Sequence, residues 1–226
     1  REKIENVSLP LTSLEQIQSL PILTKSDIRK HKEGIKCLGI PEDLFILGKT
    51  GGSTGEPMHY YYDKRGRDWN RGCVYRSQEW AGTYLGEKSI QMTGSHYDYT
   101  EFNKLKWKLV FWLQRYKSLP VSSLNDAVLE HYYHEVTRYK PTSIWGYASG
   151  IYYFAKYIEE KHKGTDFNFL KAIITSSETL YDYQRETINR AFGKNKVYDH
   201  YGSREFYLAS ECSSHHGYHI HSEVIL

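Results

Sequence analysis

Residues 170–200 read LKAIITSSETLYDYQRETINRAFGKNKVYDH. Leu170–Thr175 is a short apolar run, as suits a strand buried on both faces. Tyr181–Phe192 reads as a helix closed by Gly193, and Lys196–His200 as a further strand. A strand, a helix and a strand in succession form a βαβ-like unit. The fold class expected is therefore α/β, a layered sheet with helices packed on it.

Working outward, Phe206–Ser210 and Tyr218–Leu226 read as further strands. Toward the N-terminus, apolar residues recur at three- and four-residue spacing in four stripes. The first is Trp69, Cys73, Arg76, Trp80 and Tyr84; the second is Phe102, Leu105, Leu109, Trp112 and Tyr116, ending near Pro120. The third is Leu124, Val128, Tyr132, Val136 and Tyr139, stopped by Pro141; the fourth is Ile151, Phe154, Ala155 and Ile158. Each predicts a helix with a core-facing side. Lys88–Met92 and Met58–Tyr62 are candidate strands, and Ile35–Leu47 becomes extended toward its end. A short helix is expected around Leu14–Leu20. Another follows Pro21, with Thr24 or Ser26 as its cap.

The chain has 226 residues, 39% hydrophobic and 25% charged. That composition describes a globular domain rather than a disordered one. A net charge of +3 is too weak to argue for nucleic acid or an anionic membrane. No apolar stretch approaches the roughly 20 residues of a membrane span. Cys37, Cys73 and Cys212 are odd in number and far apart. No disulfide framework is implied, and a reducing cytoplasm is the expected compartment. The 21 tyrosines are the unusual count, since each adds apolar area and a hydroxyl that wants a partner.

The densest turn chemistry is Gly48-Lys49-Thr50-Gly51-Gly52-Ser53-Thr54-Gly55-Glu56-Pro57. Such glycines let backbone N–H groups approach an anion, and Ser53 and Thr54 add hydroxyl donors, so phosphate is the natural guest. Two familiar phosphate motifs fail here. A P-loop ending at Gly48-Lys49-Thr50 would need glycine where Asp43 stands. A dinucleotide fingerprint using Gly52 and Gly55 would need glycine where Thr50 stands.

Thr50–Pro57 resembles the Ser/Thr/Gly-rich phosphate loop of the adenylate-forming (AMP-binding) superfamily. Tyr198-Asp199-His200-Tyr201-Gly202-Ser203-Arg204-Glu205 resembles that superfamily's aromatic–Gly–x–Thr/Ser–Glu motif, and Ser176-Ser177-Glu178 its adenine-side turn. Order and spacing agree. Leu23–Arg29, and Glu211-Cys212 with Gly217-Tyr218-His219, are similar to segments of the phenylacetate–CoA ligase and CapK-like capsule-biosynthesis group. The resemblance runs over nearly the whole chain. It implies that residues 1–226 are the N-terminal ATP- and acyl-binding domain in part, incomplete at its C-terminal end and without the small C-terminal lid domain.

By the same resemblance, Thr50, Gly51, Gly52, Ser53, Thr54 and Gly55 would hold the distal phosphates of ATP. Tyr201, with Gly202 and Ser203, would lie at the adenine, and Ser177 and Glu178 would line its edge. Glu205 would bind magnesium, a hard cation suited to carboxylate and phosphate oxygen. Trp145, Gly146 and Tyr147 would border the acyl pocket. Catalysis would fall to Thr54, Arg204 and Glu205. The family carries Thr or Ser where this chain has Arg204. Its guanidinium could pair bidentately with the α-phosphate or instead with Glu205. The family's ribose-binding aspartate and catalytic lysine would fall beyond Leu226, so the fragment alone is expected to be inactive.

Cys212, His215, His216, His219 and His221 crowd one segment. Cys212 and His219 match a zinc pattern in some relatives; a polar hairpin with surface histidines is the other reading. His131 and His134 flank the third stripe as structural histidines or acyl-pocket residues. The activity implied is ATP-dependent conversion of a carboxylic acid to an acyl-adenylate, with coenzyme A as acceptor. An amine acceptor in polysaccharide biosynthesis and a non-catalytic nucleotide-binding role are the alternatives. The expected partners are a small-molecule acid and its acceptor, with a homodimer left open, and neither nucleic acid nor a membrane.

Overall fold

The computed structural model describes residues 12–13, 15–31, 33–37, 39–49, 58–94, 105–203 and 206–222. They fall into two compact units, divided between Lys64 and Arg65. In the first, a 3-10 turn at Glu15–Ser19 precedes helix α1, Lys25–Lys30. Thr24 is its cap, forming a reciprocal pair with Asp27. Thr24 Oγ1 accepts from the Asp27 N–H at 3.2 Å, and Asp27 Oδ2 accepts from the Thr24 N–H at 2.9 Å. Strands β1 (Phe45–Lys49) and β2 (His59–Asp63) pair antiparallel, with Lys49 opposite His59.

The second unit is built on a seven-stranded sheet. Its elements are α2 (Lys64–Trp80), β3 (Ser89–Met92), α3 (Leu105–Leu113), β4 (Tyr116–Ser118), α4 (Asp126–Tyr139), β5 (Ser143–Tyr147) and α5 (Ala148–Lys161), then β6 (Ala172–Ser176), α6 (Asp182–Phe192), β7 (Val197–Gly202), β8 (Tyr207–Glu211) and β9 (Tyr218–Ile220). The strand order is β4-β3-β5-β6-β7-β8-β9. The first five strands run parallel, and β8 and β9 continue antiparallel. The expected α/β layering is therefore present.

The β6–α6–β7 unit shows why these residues fold so. Every residue of β6 is buried, as a central parallel strand requires. Helix α6 ends at Gly193, which adopts φ +108° and donates its N–H to the Asn189 carbonyl at 3.0 Å. Glycine takes that backbone angle at no steric cost, so it closes the helix. Ile144 of β5, Ile173 of β6 and Val197 of β7 point to one face. There they meet Leu129, Tyr132 and Val136 of α4, Ile151, Phe154 and Ile158 of α5, and Ile188 and Phe192 of α6. Ala172, Ile174, Tyr198 and Trp145 point to the other face and meet Ala81, just past α2. Helix α2 is tied to that face by polar contacts. Ser77 Oγ lies 2.5 Å from Ser210 Oγ and 3.1 Å from His221 Nε2, and Asn70 Oδ1 accepts the Tyr207 N–H at 3.0 Å.

The second stripe is corrected. Helix α3 stops at Leu113, Arg115 turns the chain at φ +53°, and Tyr116 opens strand β4. Leu109 and Trp112 are 57% and 74% exposed, so those two stripe positions do not face the core. The first stripe holds only in its middle: Cys73 and Ser77 are buried, Trp69 is exposed, and Tyr84 lies beyond the helix end. Among the described residues, no helix is long and apolar enough to cross a membrane.

Candidate active site

Strands β3, β5, β6 and β7 are parallel. Their C-terminal ends therefore share one edge of the sheet, where open α/β sheets bind their ligands. A cleft of about 320 Å³ opens there. It is lined by Gln91 and Thr93 at the end of β3, Trp145, Gly146 and Tyr147 at that of β5, Ser176 and Ser177 at that of β6, Gly202 and Ser203 at that of β7, and Tyr207 from β8. Six residues singled out from the sequence thus meet in one place. Serine and threonine hydroxyls from four residues and three aromatic rings give a lining that suits a ligand with both polar and planar parts.

Local backbone shapes this edge. Gly146 lies so near β3 that a Cβ would stand 2.2 Å from the Met92 carbonyl oxygen, and only glycine permits that approach. Ser177 adopts φ +69°. That left-handed conformation is unusual for serine and is found more often at ligand sites. Glu178 is engaged outside the cleft, where its Oε2 accepts the Ser149 N–H at 2.9 Å. A carboxylate thus meets the positive end of the α5 dipole. Tyr201 is 62% exposed beside Gly202, its ring 6.5 Å from that of Tyr218.

Beneath the β7 side of the cleft lies a polar network that the sequence reading missed. Thr175 Oγ1 donates to Asp199 Oδ1 at 2.5 Å, and the Tyr218 hydroxyl donates to Asp199 Oδ2. Glu211 Oε2 accepts the Asp199 N–H at 3.0 Å, while Arg185 donates to Glu211 Oε1 at 2.7 Å and to the Val197 carbonyl at 3.0 Å. Burial raises the Asp199 carboxyl above its ordinary range, and the bonds from Thr175 and Tyr218 work against that rise. The available signal was a polar residue within each of two apolar strand runs. Next to Asp199, burial first and His221 second lower the His200 imidazole to about 3. Neither His200 ring nitrogen has a hydrogen-bond partner among the described residues.

Thr50, Gly51, Gly52, Ser53, Thr54, Gly55, Arg204 and Glu205 lie outside the described residues. Cys212 and His219 do meet, with Sγ 3.0 Å from Nε2, and Ser214 Oγ also stands 3.0 Å from the sulfur. The bonds from Ser214 and then His219 lower the thiol to about 7. Zinc takes four ligands and this pair supplies two. No group of three or more His, Cys, Asp or Glu side chains poised for a metal occurs among the described residues. In this segment His216 and His219 are exposed, His215 is half-buried and His221 is fully buried. His131 and His134 are exposed on α4, with His134 3.0 Å from Glu130, and neither lines the cleft. Among the described residues, Cys37, Cys73 and Cys212 form no disulfide.

No family model matches the chain. A curated relative is protein CapK of Staphylococcus aureus, 30% identical over 200 residues, which are 84% of this chain and 42% of CapK. Among solved structures, 2-hydroxyisobutyryl-CoA ligase in complex with 2-HIB-AMP and CoA superposes with a TM-score of 0.68 at 20% identity, over 96% of this chain and 53% of the ligase. The fatty acyl-adenylate ligase of L. pneumophila, in complex with acyl adenylate and pyrophosphate, gives a TM-score of 0.53 at 20% identity, over 74% of this chain and 30% of that one. The chain thus spans less than half of CapK and about half of the first ligase. Over the matched span it is similar in sequence to CapK, and it shares the fold of the part of the superposed ligases that it covers.

Proposed function

We propose that the protein containing this chain activates a carboxylic acid with ATP, forming an acyl-adenylate and releasing pyrophosphate, and then passes the acyl group to a thiol, with coenzyme A as the acceptor. The observation that carries this reading is the convergence of Trp145, Gly146, Tyr147, Ser177, Gly202 and Ser203 at the C-terminal edge of the parallel strands. The superposed ligases, solved with acyl-adenylates, support it as neighbours in fold.

A carboxylate is a poor acyl donor because its leaving group would be oxide. Its attack on the α-phosphorus of ATP forms the new O–P bond and expels pyrophosphate, leaving an acyl group whose departing partner is AMP. The protein must hold the pyrophosphate in line and offset the charge that develops. Ser53, Thr54 and the glycine N–H groups are assigned the distal phosphates, Arg204 the α-phosphate, Tyr201 and Ser177 the adenine side, and Glu205 magnesium. When bound, magnesium supplies positive charge across the phosphate oxygens. The setting proposed is cytoplasmic.

The similarity to CapK favours a second reading, in which the acyl acceptor is an amine in polysaccharide biosynthesis. The experiment is acid-dependent ATP–pyrophosphate exchange on the full-length protein, followed by AMP release with coenzyme A or with amino sugars. Exchange with some acid is expected; nucleotide binding without exchange by any acid in a broad library would reduce the protein to a nucleotide binder. The acceptor that accelerates AMP release decides between thiol and amine.

A further inference from the structure

A second cavity of about 220 Å³ lies between α2 and the sheet and shares Trp145 and Tyr207 with the cleft. Its floor departs from the rule for parallel sheets, whose covered faces are normally apolar. Tyr116, Ser89 and Ser143 stand in register on three neighbouring strands, so their side chains share one face. Gln78 of α2 and Tyr207 of β8 complete the polar lining. None of these five side chains makes a hydrogen bond to another described residue; Ser143 is buried and the other four are half-buried, so their polar groups are left to solvent or a ligand. Burial pushes both phenols well above their ordinary range, and Tyr207 adds to the rise at Tyr116. Both hydroxyls therefore stay protonated and able to donate. Hydrogen-bonding capacity is concentrated in a small chamber that shares two of its walls with the cleft.

Resting on the adenylation reading for the cleft, we infer that this second cavity receives the tail of the acid, and that the tail is compact and carries hydroxyl or carbonyl oxygens rather than being a bare alkyl chain. The volume is below the roughly 300–1,000 Å³ of pockets that hold drug-sized ligands. An alkyl tail would leave the polar floor desolvated and unpaired, whereas an oxygenated tail would satisfy it.

The test is binding of near-isosteric acid pairs to the full-length protein by ligand-observed NMR and calorimetry. Suitable pairs are 4-hydroxyphenylacetate with 4-methylphenylacetate, and 3-hydroxybutanoate with 3-methylbutanoate. The oxygenated member of at least one pair is expected to bind on the order of tenfold more tightly. Tyr116→Phe and Tyr207→Phe should each erode that preference several-fold. Both variants should melt no lower than the parent, because the hydroxyls they remove have no partner among the described residues. A purely structural role for the phenols would instead lower the melting temperature and leave the preference intact. Equal or better binding of the methyl members, binding of neither, or a preference that survives both substitutions overturns the inference. Pyrophosphate exchange is run with the same acids. Exchange that favours alkyl acids sinks the inference alone, whereas tight binding of oxygenated acids without exchange sinks the adenylation reading on which it rests.

Discussion

His200 is nearly fully buried on β7, with its ring edge-on to Tyr207, and no hydrogen bond among the described residues compensates its imidazole. Its folded-state pKa, about 3, lies below the ordinary 6.5. Between those values the unfolded chain binds a proton that the folded chain refuses. The unfolded state then gains from acid, so the stability contributed is complete above pH 6.5 and lost as pH falls from there toward 3. The slope for one such group approaches about 1.4 kcal/mol per pH unit. Denaturant titrations across this range should show that slope, and His200→Gln should flatten it; an unchanged slope would place the acid sensitivity elsewhere. A second residue-scale prediction concerns the glycine loop. Replacing Ser53 and Thr54 together with Ala should weaken ATP binding more than AMP binding, since hydroxyls assigned to the distal phosphates have nothing to hold on AMP. Calorimetry with both nucleotides checks this, and an equal loss for the two would remove the loop from the phosphates.

At the scale of elements, the close contact of β3 and β5 depends on Gly146. A methyl group there meets the backbone oxygen of Met92 at 2.2 Å, and a backbone atom of a central strand cannot swing aside. Gly146→Ala should destabilise the protein by about 1–3 kcal/mol. Because the strain sits in the cleft wall, acid-dependent exchange should fall further than the folded fraction does. A variant with parental melting temperature and exchange rate would show that the two strands can part at no cost. The elements that local patterns specify could be read from sequence: the apolar run of β6, the glycine at the end of α6, and a polar cap, Thr24 or Ser26, at the start of α1. The change from α3 to β4 could not. Its turn uses Arg115 at φ +53°, with no Gly, Asn or Pro to mark it. The site follows the same division. Ser177 follows a legible strand, β6, whereas Trp145 and Gly146 lie on β5, which no pattern in the sequence announces and which only the resemblance marks. By contrast, the roles of Tyr207, Gln91 and Asp199 depend on which strands become neighbours in the sheet. Glu178 reaches the N-terminus of α5, a contact 29 residues away in the chain that no local pattern announces.

For the whole molecule, the question is how much of the chemistry residues 1–226 can perform alone. The matched residues correspond to 42% of CapK and 53% of the superposed ligase; on the adenylation reading proposed above, a ribose-binding aspartate and a catalytic lysine would be supplied from outside residues 1–226. The cleft gathers its lining from β3, β5, β6, β7 and β8, all within these residues, so a folded nucleotide site of reduced affinity is expected. The lysine would neutralise the reacting carboxylate and phosphate as charge builds, and loss of such a preorganised group costs on the order of a hundredfold or more in rate. Residues 1–226 expressed alone should therefore bind AMP weakly and give little or no acid-dependent ATP–pyrophosphate exchange, and the full-length protein should give both. Binding and exchange must be measured on the same preparations, because a fragment that binds no AMP speaks to folding rather than to missing chemistry. If the fragment binds AMP and exchanges at a rate comparable to that of the full-length protein, the groups that stabilise the transition state lie within these 226 residues. Arg204, beside Glu205, would then be the first candidate for the charge otherwise assigned to the lysine, and Arg204→Ala in the fragment should abolish the exchange.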